Sequence, residues 1–193
     1  MKLEMITERL RLTPLSPEDA EIWVTLRSDP EVMKYIGPAR DKEHLLEILP
    51  KRCLRGGGGA IGFWCVSVRE TGERIGTAPL LPLPVEDDDS KWERLEEETF
   101  PEEDIELGYT LKPAAWGKGY ATEIALALQR FVFEETPLQK VVGVTHPDNL
   151  VSQHILRKVG MRYTGLRRAY ALDLPGFEMT REEWLARQAA YRA

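Results

Sequence analysis

Cysteine and histidine are scarce in this chain: Cys53 and Cys65, with His44, His146 and His154, are all it has in 193 residues. Neither cysteine has metal-ligand spacing and the histidines are scattered, so no metal site is expected and both thiols are read as reduced and structural. No apolar run approaches the roughly 20 residues a membrane helix needs. The opening "MKLEMITERLRL" lacks the basic-then-apolar layout of an export signal, so a cytoplasmic protein without a membrane partner is expected. Positive charge is also in deficit. A net charge of −6 argues against nucleic acid, whose binding depends on Lys and Arg neutralising phosphates.

The length suits one domain, residues 1–193, with one sizeable core. Charge is unevenly placed along it. In "EDDDSKWERLEEETFPEED", residues 86–104, eleven acidic residues face two basic ones, which leaves the rest of the chain at +3. The segment is read as a solvated acidic insertion with a short exposed helix around "KWERLEEE". Two alternatives stay open: a docking surface for a basic protein, or a field that steers a cationic amine.

Alternation in "RLRLTPL" predicts a strand. Ser16, Pro17 and the acidic Glu18 and Asp19 then predict a helix start, with a restart at Pro30 and a stop at Gly37. A further helix over 41–55 is expected to break or kink at Pro50. "GGGG", 56–59, precedes a strand rather than a helix and is read as a flexible connector. "ERIGTAPLLPL", 73–83, returns from a turn at Thr71-Gly72, and its prolines argue against a central strand. "DIELGYTL" puts Ile105, Leu107, Tyr109 and Leu111 on one face and Glu106, Gly108 and Thr110 on the other. The safest helix follows from Gly119 to Glu135. After it come the strand "KVVGVTHP", a helix with Asn149 as N-cap and Gly160 at its end, another strand, and a final strand and helix.

"LKPAAWGKGYATE", 111–123, carries the chemical signal. Counting excludes a Walker loop, because Lys112 and Gly119 stand where Gly and Ser or Thr are needed. It excludes a dinucleotide fingerprint too, because Thr122 stands at the third glycine. What remains is a strand, a short turn and a helix that begins with small residues. Its unpaired N–H groups and positive dipole end favour a closely approaching phosphate. A simple bend is the alternative.

With "TERLRLTPLSPEDAEIW", "ELGYTLKPAAWGKGYATE" and "HPDNLVSQHILRKVGMRYTG" in order over nearly the whole chain, the sequence resembles the GNAT superfamily of acetyl-CoA-dependent N-acetyltransferases, in particular its ribosomal-protein N-terminal acetyltransferase-like branch. The resemblance implies an α/β fold with a mixed, mostly antiparallel sheet, splayed at a coenzyme A cleft between the strand ending near Leu111 and the strand starting near Lys140. It implies acetyl-CoA as cosubstrate, bound by Leu111, Trp116, Gly117, Lys118, Gly119, Tyr120, Ala121, Thr122, Asn149 and Ser152. The family's Gln/Arg-x-x-Gly-x-Gly/Ala signature falls on Trp116 to Ala121, and Trp116 departs from it. Lys158 could reach the phosphates by analogy, or could be a solvated partner of its helix dipole.

The chemistry requires a neutral amine, support for an oxyanion and a proton for the leaving thiolate. Glu106, the one carboxylate within its strand, is the candidate base. Its other reading is a strand-end glutamate paired with an arginine. An oxyanion donor is expected on the backbone near Leu107 or Gly108. Many relatives supply the thiolate's proton from a tyrosine, where this chain has Leu156. By resemblance Ser152 is the candidate donor and Asn149 a pantetheine partner, and each also reads as a helix-start residue. The expected partner is an amine, either a small molecule or a protein N-terminus, and a homodimer is compatible with the family. A noncatalytic acyl-CoA-binding regulator on the same fold is the alternative.

Overall fold

The computed structural model describes residues 2–87, 89, 90, 92 and 95–192. Along the chain run β1 (Met5–Ile6), β2 (Leu10–Pro14), α1 (Ala20–Ser28), α2 (Pro30–Met33), α3 (Lys42–Arg52), β3 (Gly62–Val68) and β4 (Arg74–Pro82). They are followed by β5 (Ile105–Leu107), β6 (Thr110–Leu111), α4 (Tyr120–Glu135), β7 (Lys140–Val144), α5 (Leu150–Lys158), β8 (Arg162–Ala169), β9 (Leu172–Thr180) and α6 (Arg181–Arg192). The strands form one sheet in the order β1-β2-β3-β4-β5-β7-β9-β8, with β6 also on β4. Every pairing is antiparallel except β5 with β7, which meet in parallel at Glu106 and Val142. This is the expected mixed, mostly antiparallel sheet.

Alternation along the strands builds a core on each face. On one, Leu10, Leu12, Trp64, Leu80, Ile105, Leu107 and Leu111 pack with Ile124, Leu128 and Phe131 of α4 and with Leu156 of α5. The helical spacing of those α4 residues puts them on one stripe, and each buried side chain of this size contributes about 1.5–3 kcal/mol. On the other face, Ile22, Trp23 and Leu26 of α1 and Leu45 and Leu49 of α3 cover Phe63, Cys65 and Leu81.

Four local expectations need correction. First, Ser16 is the expected N-cap, but of a 3-10 turn over 17–19 that precedes α1 rather than of α1 itself, and Asp19 accepts from the Ser16 N–H (2.9 Å) and hydroxyl (3.1 Å). Second, α3 runs unbroken through Pro50, which sits two residues before its end; the missing N–H deprives the Leu46 carbonyl of its helical donor, and only Lys51 and Arg52 follow in the helix. Third, β4 is central in the sheet despite Pro79 and Pro82. Its register with β5 and β6 is continuous: Leu80 faces Leu107 and Thr77 faces Thr110 without an inserted residue. Between those pairs Gly108 donates to the Pro79 carbonyl (3.0 Å), and Pro79 has no N–H to return. The strand is therefore interrupted at Gly108-Tyr109 by a proline in its neighbour, with no bulge.

The fourth correction concerns the glycine run. Gly57, Gly58 and Gly59 all have positive φ, and their N–H groups are used. Gly57 donates to the carbonyls of Glu96 and Thr99 (both 3.1 Å) and Gly58 to that of Glu97 (2.6 Å). The run is a clamp on the acidic insertion rather than a flexible connector. The insertion is also anchored by Trp92, which is 1% exposed and stacked on Phe63, by Asp89 paired with Arg52 (2.6 Å), and by the Ser90 hydroxyl donating to the Pro82 carbonyl (3.0 Å). Asp88, Lys91, Glu93 and Arg94 lie outside the described residues, and with them part of the expected exposed helix.

Candidate active site

The turn before α4 places its residues by a few specific bonds. Trp116, 43% exposed, donates its indole N–H to the Leu111 carbonyl (2.8 Å), so its ring caps the strand end. Gly117 and Gly119 are left-handed, with φ of 72° and 79°, and Gly119 is the N-cap of α4. Nothing lies within 4 Å of a Cβ built on Gly117, and only the tip of Arg9 meets one on Gly119, at 3.4 Å. Arg9 holds the turn from below: it donates to the Lys118 carbonyl (2.8 Å), pairs with Glu123 (2.7 Å) and lies over the Tyr120 ring, 4.7 Å from its centroid.

Glu123 is thereby turned away from the helix start. Thr7 and the Arg9 backbone N–H also donate to its carboxylate, at 2.5 and 2.8 Å. Among the described residues no side chain caps α4, and the N–H groups of Tyr120, Ala121 and Thr122 have no acceptor within the helix. Open donors at the positive end of a 16-residue helix, with space over Gly117, fit the pyrophosphate of coenzyme A. The exposed Lys118 side chain adds a positive charge at the edge of this cradle.

The start of α5 forms a second group on the same face. Asn149 accepts from the Ser152 N–H (3.1 Å), the expected N-cap. The Ser152 hydroxyl meets the Tyr109 hydroxyl at 3.1 Å. Burial pushes the Tyr109 phenol up to about 12, against the opposing Ser152 hydrogen bond, so it is a neutral donor at ordinary pH. In the sequence Tyr109 belongs only to the apolar row of its strand. Its ring does pack with that row, and only its polar tip could have signalled more.

Glu106 lies on the opposite face, beside the interruption of the sheet. Its arginine-paired reading fails: Tyr170 donates to Oε2 at 2.5 Å and the Val144 backbone N–H binds the same carboxylate. Burial raises its pKa to about 7 while these two hydrogen bonds oppose the rise. The backbone N–H groups near Leu107 and Gly108, where an oxyanion donor is expected, differ in their bonding. Gly108 spends its N–H on Pro79, and Leu107 lies within the short stretch paired to β7. Strand alternation turns the Tyr109 N–H toward the β7 side, where no acceptor among the described residues takes it.

The predicted residues thus fall into three groups: Leu111 and Trp116 to Thr122 at the α4 start, Asn149 and Ser152 at the α5 start, and Glu106 across the sheet. Lys158 ends α5, with its carbonyl taking Arg187 (3.0 Å). Among the described residues no three His, Cys, Asp or Glu side chains could hold a metal, and no helix is long and apolar enough to cross a membrane. Cys53 and Cys65 are free thiols.

A mixed sheet that opens between β6 and β7 beside a helix start with free N–H groups is an arrangement suited to a phosphate-bearing coenzyme. Residues 9–162 match the acetyltransferase (GNAT) domain, and the chain belongs to that family. It is similar to the FsC-acetyl coenzyme A-N(2)-transacetylase of Aspergillus fumigatus, 32% identical over 94% of this chain and 78% of that protein. The crystal structure of an acetyltransferase from Agrobacterium tumefaciens superposes with a TM-score of 0.72, at 26% identity over 93% of this chain and 95% of the other. Spermidine N-acetyltransferase from Vibrio cholerae, solved with CoA and spermine, shares the fold with a TM-score of 0.70 at 17% identity, covering 93% and 99%. The chain is therefore an acetyl-CoA-dependent N-acetyltransferase.

Proposed function

We propose that the protein transfers acetyl from acetyl-CoA to a primary amine by direct attack with both substrates bound. The site would lie where the sheet opens between β6 and β7. The observation that carries this reading is Glu106, a carboxylate raised to about 7 beside that opening and across the sheet from the coenzyme cradle. Residues 1–193 act in it as one acetyltransferase unit carrying the 86–104 insertion, and its address is the cytoplasm.

Backbone N–H groups of Tyr120, Ala121 and Thr122 hold the coenzyme phosphates, with Gly117 and Gly119 keeping the approach open and Asn149 meeting the pantetheine. Glu106 takes the proton of the amine, directly or through water. The free Tyr109 N–H supports the carbonyl oxygen as charge develops on it, a role worth about 2.7–4 kcal/mol where it has been measured. The Tyr109–Ser152 pair supplies the thiolate's proton, Ser152 being the near donor and the phenol its reserve.

Base strength also selects the acceptor. An α-amine of pKa about 7.7–8.0 gives its proton to a base near 7 at small cost, whereas a lysine at about 10.4 is more than three units away. We therefore favour an α-amine acceptor, on a protein N-terminus as in the ribosomal-protein branch or on a small cationic amine. The N(2) in the Aspergillus relative's name agrees with an amine nitrogen of this kind. One wall of the acceptor pocket would come from the segment after α2, where Tyr35 packs against His146 beyond β7, with ring centroids 5.3 Å apart. The test is thiol release across amine classes with Glu106→Gln. Coenzyme affinity should stay and turnover of α-amines should fall at least about 100-fold. Retained turnover would remove Glu106 from the mechanism.

A further inference from the structure

The hairpin between β8 and β9 turns on two residues, Tyr170 and Ala171, because Ala169 pairs with Leu172. Both are left-handed, with φ of 53° and 57°. Two-residue turns of this kind favour Asn-Gly, and an aromatic residue is among the poorest choices for them. Strain retained at a defined position directs attention to what the side chain reaches. Here the phenol reaches Glu106 Oε2 at 2.5 Å.

Other bonds hold the turn in place. The Tyr170 N–H donates to the Pro84 carbonyl (3.0 Å) and the Ala171 N–H to that of Val85 (2.9 Å). Just before the turn, Arg168 forks onto both oxygens of Glu86 at 2.9 and 2.8 Å. The hairpin tip is thus seated on the root of the acidic insertion, and the Tyr170 hydroxyl points at the candidate base.

We propose that Tyr170 is a positioning residue that fixes the Glu106 carboxylate at the sheet opening and stabilises its ionised form. This rests on reading Glu106 as the base. The phenol is suited to the role, because burial first and the neighbouring Glu106 charge second hold its own pKa far above the usual tyrosine range, so it always donates. Among the described residues the other partner of Glu106 is the Val144 N–H, and β4 presents Leu81 opposite it. The remaining charges of this region are paired among themselves: Asp104 with Lys140 and Arg167, and Glu178 with Arg162 and Arg167. Asp89 acts on the tyrosine. The phenol is therefore the one side-chain donor to this carboxylate among the described residues.

The sign follows directly. A hydrogen bond to the carboxylate lowers its pKa, so removing the phenol raises it, and the base form appears at higher pH. The test titrates the Glu106 carboxyl by carbon-13 NMR in the resting protein and in Tyr170→Phe. The expected result is an upward shift of about one pH unit, the scale of one hydrogen bond to a charged group. A second variant, Tyr170→Asn with Ala171→Gly, gives the turn the residues it favours. It should fold at least as well as the parent and show the same shift. An unmoved carboxyl in both variants overturns the proposal. The pH profile of kcat/KM, measured alongside, separates this failure from failure of the base assignment. If both hold, its acid limb moves up with the carboxyl. A carboxyl that moves while the limb stays leaves Tyr170 holding a group that is not the base.

Discussion

The chain has two glycine turns with the same backbone habit and opposite surroundings. Gly57 to Gly59 and Gly117 to Gly119 both rely on positive φ. In the first, an added Cβ at Gly57 meets the Phe100 ring at 2.9 Å and one at Gly59 meets Leu3 at 2.7 Å, and N–H groups of the turn are bonded to the insertion's carbonyls. In the second, the space above Gly117 is empty, and the N–H groups that follow Gly119 lead into a helix with no side-chain cap. Glycine is needed in the first turn because the protein fills the space and, on the proposed reading, in the second because the coenzyme enters it. Positive φ alone does not separate the two; the fate of the N–H groups does.

Substitution should separate them. The largest effect is expected at Gly57→Val, which adds a branched Cβ at φ of 59° against Phe100. Left-handed strain and overpacking together cost about 3 kcal/mol. Thermal denaturation should show Tm lower by about 6–12 °C for a chain of this length, with KM for acetyl-CoA unchanged in the protein that remains folded. Gly119→Ala should invert the pattern. The left-handed methyl costs about 1 kcal/mol of stability, but it also faces the proposed cradle. Calorimetry should show coenzyme A binding about tenfold weaker, or about 1.4 kcal/mol. Undiminished binding would return this turn to a mere bend.

What could be read in advance follows the same division. Motifs that depend on neighbours in sequence were legible: the helix start after Gly119, the Asn149 cap, and the alternation that put Glu106 and Leu107 on opposite faces. Features made by partners far along the chain were not. The prolines of 73–83 argue against a central strand, and Pro79 lies in one. Its missing N–H matters because Gly108, 29 residues later, is its partner, and that pairing is invisible until the strands are laid side by side. Tyr170 carries no signal at all, since its meaning is a bond to a residue 64 positions away. The insertion read as solvated for its charge, although Trp92 and Asp89 tie it to the α1–α3 face. Composition describes its average, and a few particular contacts hold it in place.

The smallest expected effect concerns Trp116, where the chain departs from the family's usual Gln or Arg. A side chain reaching the phosphates would make this position part of the open turn's function, whereas the indole N–H is bonded at 2.8 Å to the Leu111 carbonyl. That bond ties the last residue of β6 to the turn, so the tryptophan belongs with the structural side of the comparison even though it adjoins Gly117. Trp116→Phe keeps the ring and removes the donor. It should cost about 1 kcal/mol, seen as a fall in Tm of about 2–4 °C, while coenzyme A affinity stays within about twofold. A larger loss of affinity than of stability would mean that the indole itself reaches the coenzyme, and that the boundary between the filled and the open turn lies one residue earlier than the hydrogen bonds place it.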